Sequence, residues 1–140
     1  MNLWPPLLFA GIRVKVSDVN FRHFEVELKL RWWNRNMMGT QFGGSLFAMT
    51  DPFYMLMLSE NLGPDYVVWD KAAEIDFVAP GRGKVHAKFL VTPERLAEIR
   101  AATADGAKYL PVFEVDITDA SGALIAKVKR VLYVRKKRGR

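Results

Sequence analysis

The chain has 140 residues, half of them hydrophobic and 26% charged, with a formal net charge of +6; this is the balance of one folded domain with a core, not of a disordered or fibrous chain. The absence of cysteine excludes disulfides, cysteine nucleophiles, thiolate zinc sites and cysteine-ligated iron–sulfur clusters, and fits a cytoplasmic protein. No stretch approaches the roughly 18 apolar residues that a membrane span requires.

The first ten residues lack a basic leader, and Pro5 and Pro6 interrupt their short apolar run, so they do not read as a signal peptide. The prolines suit the start of a short helix or turn within 2–11. Ile12, Val14 and Val16 alternate with Arg13 and Lys15, and Ser17–Asn20 marks a turn. Phe24, Val26, Leu28, Leu30 and Trp32 then alternate with Glu25, Glu27, Lys29 and Arg31, which predicts a half-buried strand. Trp33–Gln41 reads as a loop. Gly43 and Gly44 open a helix that should run to about Asn61, where Leu62-Gly63-Pro64-Asp65 stops it.

Further strands are expected at 66–79, 85–91, 112–118 and 124–134, with Pro80-Gly81-Arg82-Gly83 as a turn and Asp119-Ala120-Ser121-Gly122 as a hairpin. Thr92 and Pro93 look like the cap and first position of a second helix ending near Asp105-Gly106. This order predicts an α+β fold in which an antiparallel sheet curls around one long central helix. Such a sheet covers one side of the helix, and the remaining apolar faces invite a second subunit.

Asp51 is the residue that most needs explaining. From Leu46 to Leu58 only Thr50 and Asp51 are frankly polar, and a helix that is apolar nearly all round is a buried helix. A buried carboxylate is costly unless paired, solvated or protonated. A catalytic cleft is one explanation; local hydrogen bonding, with Thr50 or a neighbouring chain, is the other. Pro52 should kink the same helix.

The segment Asn36-Met37-Met38-Gly39-Thr40-Gln41-Phe42-Gly43-Gly44, with Asp51 seven residues beyond Gly44, resembles the helix-opening signature of the hotdog-fold thioesterases, in particular the branch that includes phenylacetyl-CoA thioesterase. That branch carries Asn-x-x-Gly-x-x-His-Gly-Gly followed by a catalytic carboxylate. Phe77–Gly83 is similar to the family's strand-to-strand connection. The resemblance implies a hotdog fold over about residues 12–135 of a single domain, a basic C-terminal tail at 135–140, and hydrolysis of an acyl-CoA or related acyl thioester at a dimer interface. It also implies a homodimer or a dimer of dimers. Gly44 would donate its N–H to the oxyanion and Asp51 would serve as base or nucleophile. Asn36, Gly39, Gln41, Phe42, Gly43 and Thr50 would contact substrate. No cofactor and no metal are implied. Phe42 departs from the pattern, standing where the branch commonly has histidine. It argues against a hotdog dehydratase and leaves a non-catalytic acyl-thioester or lipid-binding protein as the alternative.

The chemistry is coherent on the residues alone. A carboxylate can attack a thioester or activate water, and N–H groups at a helix start can hold an oxyanion. On a straight helix Gly44 and Asp51 would be about 10 Å apart, which favours a site shared between two chains. Asn36, Gln41 and Thr50 are equally readable as loop and helix hydrogen-bonders, and Trp32, Trp33, Phe42 and Phe47 as core or acyl-pocket residues. Met49, Met55 and Met57 read as packing. His23 and His86 lack metal-ligand spacing, and neither a Gly-x-Ser-x-Gly elbow nor a P-loop is present. Coenzyme A phosphates would need cations, for which Arg82, Lys84, Arg95, Lys127, Lys129 and Arg130 are available. Eight of the 21 basic residues lie at or beyond position 127; no aromatic interrupts 135–140, and no specific nucleic-acid binding is expected.

Overall fold

The computed structural model describes residues 4–138; residues 2 and 3 of the expected N-terminal helix, and Gly139 and Arg140 of the expected tail, lie outside them. The elements follow in the order α1 (Pro5–Ala10), β1 (Ile12–Ser17), β2 (His23–Leu28), α2 (Gly43–Ala48), α3 (Phe53–Leu62), β3 (Tyr66–Phe77), β4 (Val85–Leu90), α4 (Pro93–Thr103), β5 (Val112–Asp119) and β6 (Leu124–Lys136). The six strands form one antiparallel sheet in the order β1-β2-β4-β5-β6-β3.

Alternation along the strands sets the two faces of the sheet. Phe24, Val26, Leu28, Val85, Ala87, Phe89, Phe113, Val115, Ile117, Val128, Leu132 and Val134 are buried. Phe53, Tyr54, Met57, Leu58 and Leu62 of α3 join the same core. Aromatic contacts run across it from Phe24 to Phe53 (5.7 Å), Phe53 to Phe89 (5.0 Å), Phe89 to Tyr54 (5.2 Å) and Tyr54 to Phe113 (4.4 Å). The other face is charged: Glu74, Lys129 and Glu114 lie across neighbouring strands in one row, and Asp76, Lys127 and Asp116 in the next.

Local chemistry explains the boundaries. The Thr92 side chain caps α4 by accepting the Arg95 N–H at 3.1 Å, with Pro93 in the first turn. Asp119 closes the β5–β6 hairpin by accepting from the N–H groups of Ser121 and Ala123 and from the Ser121 hydroxyl. Arg135 and Lys136 continue β6, in register with Val67 and Tyr66.

Three expectations are corrected. The strand expected to reach Trp32 ends at Leu28, because Asn34 gathers the following residues into a turn. Its Nδ2 donates to the carbonyls of Lys29 and Ala10, and its Oδ1 accepts the Arg31 N–H. Trp32 and Trp33 are consequently exposed rather than core. The central helix over 43–61 is two helices, α2 and α3, separated by a turn at 49–52.

Burial has a titration consequence at Tyr54. Desolvation pushes its phenol from 10.0 to about 12, against the opposing charge of Arg95. The folded state therefore holds this proton more tightly than the unfolded chain. The resulting stability is complete below pH 10 and is lost as pH rises towards 12, at about 1.4 kcal/mol per pH unit. Urea unfolding of wild type and Tyr54→Phe should show curves that separate in this alkaline window, with the phenylalanine variant losing less stability.

Candidate active site

The turn between α2 and α3 builds one half of the site. After Ala48 the helix tightens: Thr50 N–H donates to Phe47 and Asp51 N–H to Ala48, each at 3.1 Å and each three residues back. Pro52, joined to Asp51 by a cis peptide bond, has no N–H to continue the ladder, and α3 starts at Phe53. The turn carries Asp51 off the apolar stripe, so its carboxylate is exposed in the single chain and not buried as expected.

The charge that is buried is Arg130. Its place on β6 between Val128 and Leu132 puts it on the inner face, with a side chain 7% exposed. The guanidinium lies 5.3 Å from the centre of the Phe47 ring. Its Nε donates to Thr50 Oγ1 at 3.2 Å, and the Thr50 hydroxyl donates in turn to the Phe47 carbonyl at 2.8 Å. Its Nη1 lies 3.5 Å from Asp70 Oδ1 on β3. Burial raises the pKa of Asp70; Arg130 opposes the shift, and the charge of Asp51 adds to it. Asp51 and Asp70 thus feel one another's charge.

The second half is the loop leading into α2. Asn36 is fully engaged within it: Oδ1 accepts the N–H groups of Met38 and Thr40, while Nδ2 donates to Thr40 Oγ1 and the Gln41 carbonyl. Gly39 takes the left-handed conformation (φ +78°) that closes this turn. Gln41 is buried, its Nε2 bridging the carbonyls of Leu28 and Gly83, and its Oε1 has no protein partner. Helix geometry leaves the first N–H groups of α2, at Gly43 and Gly44, without intrahelical acceptors. A Cβ on Gly43 would meet the Phe77 ring at 3.0 Å, and one on Gly44 the Phe42 ring at 2.6 Å. Both glycines therefore have a packing reason as well as a possible chemical one. A cavity lies alongside, lined by Asn36, Thr40, Gln41, Gly43, Phe77 and Gly81 among others.

The structure gathers Asn36, Gly39, Gln41, Phe42, Gly43 and Gly44 at the start of α2, and Thr50 and Asp51 in the turn that follows its end. Gly43 adjoins Phe77, whereas Asp51 acts electrostatically on Asp70, seven residues back along β3. Through α2 itself the two halves are about 10 Å apart at helical rise. Among the cations considered for phosphate, Arg130 is inside the fold, and Lys84 lies 3.4 Å from the buried Glu27. Arg95 donates to the Val112 carbonyl and covers Phe113. Lys127 and Lys129 stand among the carboxylates of the outer face. Arg82 is exposed beside the cavity-lining Gly81. Phe47 and Met55 are partly buried against the core, and Met49 and Met57 are within it. Among the described residues no three His, Cys, Asp or Glu side chains are grouped to hold a metal.

Asp70 and the inward placement of Arg130 escaped the sequence reading. The signal was present: Val68 and Asp70, and Val128, Arg130 and Leu132, each follow period two on a buried face.

The family model described as a domain of unknown function (DUF4442) matches residues 1–134. The comparison with curated proteins finds no match. Among solved structures, a Pseudomonas aeruginosa protein of unknown function, described as a probable thioesterase, aligns with a TM-score of 0.82 at 17% identity, over 94% of this chain and 87% of its own. A thioesterase from Haemophilus influenzae aligns with a TM-score of 0.71 at 17% identity, over 96% and 85%. A protein of unknown function from Chlorobaculum tepidum TLS aligns with a TM-score of 0.74 at 17% identity, over 98% and 89%. At these identities the likeness is one of fold, and the fold is the hotdog fold.

Arg130→Met should destabilise the protein by about 2–4 kcal/mol, because it leaves the half-buried Asp70 carboxylate without its cation. Adding Asp70→Asn should recover part of that loss. Denaturant titration of both single variants and the double variant measures the coupling; additive losses would show that the two side chains do not interact.

Proposed function

We propose that this chain, which belongs to the family described as a domain of unknown function (DUF4442), hydrolyses an acyl-CoA or a related acyl thioester at a site completed by a second copy of itself. The observation that carries the reading is the separation of the two halves along β3. Strand β3 is an edge strand of twelve residues, and a long edge is a template for pairing. Phe77 and Val78 at its end are more than half exposed. An antiparallel copy of β3, centred between Ala73 and Glu74, would set Asp70 of one chain opposite Phe77 of the other. The first turn of α2 in one chain would then face Asp51 of its partner.

In this arrangement the thioester carbonyl oxygen meets the Gly44 N–H at the start of α2. Charge developing on that oxygen is stabilised by the N–H and the aligned peptide dipoles. Asp51 of the other copy takes a proton from water as the water oxygen adds to the carbonyl; the C–S bond then breaks and the thiolate leaves with that proton. In the covalent alternative the Asp51 carboxylate adds to the carbonyl and expels the thiolate, and water then cleaves the acyl anhydride, giving the acid and the thiol proton and restoring the carboxylate. Arg130 holds Asp70 and Thr50 beneath the turn and so fixes the position of Asp51. The acyl group would enter the cavity beside Gln41, Leu46 and Phe77, with Arg82 at its rim for a carrier phosphate. The Phe42 ring, standing where the resembled pattern has histidine and packed on Gly44, supports the second reading, an acyl-thioester binder without turnover.

A panel of acyl-CoAs assayed for thiol release separates the two. Wild type should release thiol, and Asp51→Asn should lose at least about 100-fold in kcat/KM, because the amide cannot act as base or nucleophile. The exposed position predicts that this substitution moves stability by no more than about 0.5 kcal/mol. Undiminished turnover in Asp51→Asn removes Asp51 from the mechanism, and saturable binding without thiol release establishes the binder.

Sedimentation velocity at micromolar concentration should give a dimer or a multiple of it. A monomer under those conditions removes the shared site.

A further inference from the structure

Helix α1, seated on the core by Leu7, and the turn after β2 form a corner whose outward side chains the candidate site does not use. Asn34 ties them together through Ala10 and Lys29, with bonds of 3.0 and 2.9 Å. Trp4 and Leu8 are one helical turn apart, and Leu8 shares a cleft with Trp33, Arg13, Lys29 and Arg31. The Trp33 ring packs edge-on against Trp32 at 5.7 Å, and Arg31 lies 5.2 Å from its centre. Large apolar side chains are held out here: Phe9 is 74% exposed, Trp32 77% and Trp33 52%. A contiguous exposed apolar patch of this kind marks an interaction site.

The charge around the patch identifies the partner. Residues 4–13 and 29–42 contain Arg13, Lys29, Arg31 and Arg35 and no Asp or Glu; Glu27, across the ladder from Arg13, is buried and already paired with Lys15 and Lys84. Tryptophan among cations is the composition of a membrane interface: the indole settles at headgroup depth while Lys and Arg meet anionic headgroups. A second copy fits less well, since two-fold pairing of this patch on itself would oppose like charges. The aliphatic Leu8 and the highly exposed Phe9 and Trp32 suit insertion between lipids better than the stacking of bases.

We propose that this corner docks the protein on an anionic phospholipid surface, with Trp4, Phe9, Trp32 and Trp33 entering the headgroup layer and Arg13, Lys29, Arg31 and Arg35 pairing with lipid phosphates. The docking is independent of whether Asp51 is catalytic.

The test is co-sedimentation of the full chain with vesicles of phosphatidylcholine alone and of phosphatidylcholine with phosphatidylglycerol. The mixed vesicles should carry the protein down and shift its tryptophan emission to the blue, and the neutral ones should bind it weakly. Trp32→Ser with Trp33→Ser, and separately Arg13→Gln with Arg31→Gln, should each weaken binding at least about tenfold, since affinity scales with inserted apolar area and with headgroup charge. Both pairs are on exposed positions, and a melting curve certifies each fold. Lys136→Gln with Lys137→Gln, on a different basic surface, should bind as wild type. No partition onto the mixed vesicles overturns the proposal, as does binding lost in the Lys136/Lys137 variant but kept in the other two. A wild-type oligomer that dissociates in the tryptophan variant assigns the corner to a second copy instead. Binding of a single-stranded oligonucleotide in place of vesicles assigns it to nucleic acid.

Discussion

An apolar sheet face has to be covered, and here α3 covers it through five aromatic rings in continuous contact. Phe24, Phe53, Phe89, Tyr54 and Phe113 link β2, α3, β4 and β5. Ring pairs in tilted or stacked contact add to the hydrophobic gain of burial. Because α3 is seated by those rings, its first residue is fixed over the sheet. The turn that precedes it, and with it Asp51, inherits that position. The buried guanidinium of Arg130, on the inner face, sits where this apolar cover stops, and Thr50, Asp70 and Phe47 satisfy it there. A buried cation without such partners would be prohibitive.

Sheet order then decides what one chain can and cannot assemble. Strand β3 follows the helices in sequence but pairs with the last strand, β6, and so ends at the edge of the sheet. It passes beneath both halves of the candidate site, touching the glycine turn at Phe77 and the acidic turn near Asp70. Within one chain α2 separates those halves by about 10 Å at helical rise, and β3 leaves its outer edge open beside them.

The glycine pair illustrates how packing and chemistry can ask for the same residue. The Phe77 and Phe42 rings stand where a Cβ at Gly43 and Gly44 would come, so a side chain at either position would displace an aromatic ring. That packing also leaves two N–H groups at the head of α2 beside an apolar cavity. Asn36 and Gln41 spend their donors on the loop carbonyls and hold this geometry. Their contribution to any reaction runs through the backbone they fix, apart from the Gln41 Oε1, which remains without a protein partner.

Much of this was legible in the residues. All six strands were expected near their observed places, β1 and β2 from period-two alternation; the Thr92–Pro93 pair marked the start of α4, and Asp119–Gly122 marked the hairpin. Each rests on contacts within a few positions of sequence. The same alternation also contained the inward face of Arg130 and Asp70, but reading a charge as buried requires knowing what lies opposite it, and Thr50 is 80 residues away. The end of β2 at Leu28 was hidden for a similar reason, since Asn34 draws its turn together through Ala10, 24 residues earlier. Asp51 looked buried because composition averages over a helix, whereas its exposure follows from the turn at Pro52. The sequence by itself determined the elements, the apolar faces and the residue types at the helix start, all set by local sterics and periodicity. Only the tertiary structure decided which charges face inward, which aromatics stay in water, and that the glycine turn lies against Phe77 while Asp51 acts on Asp70, because those depend on contacts between segments far apart in the chain.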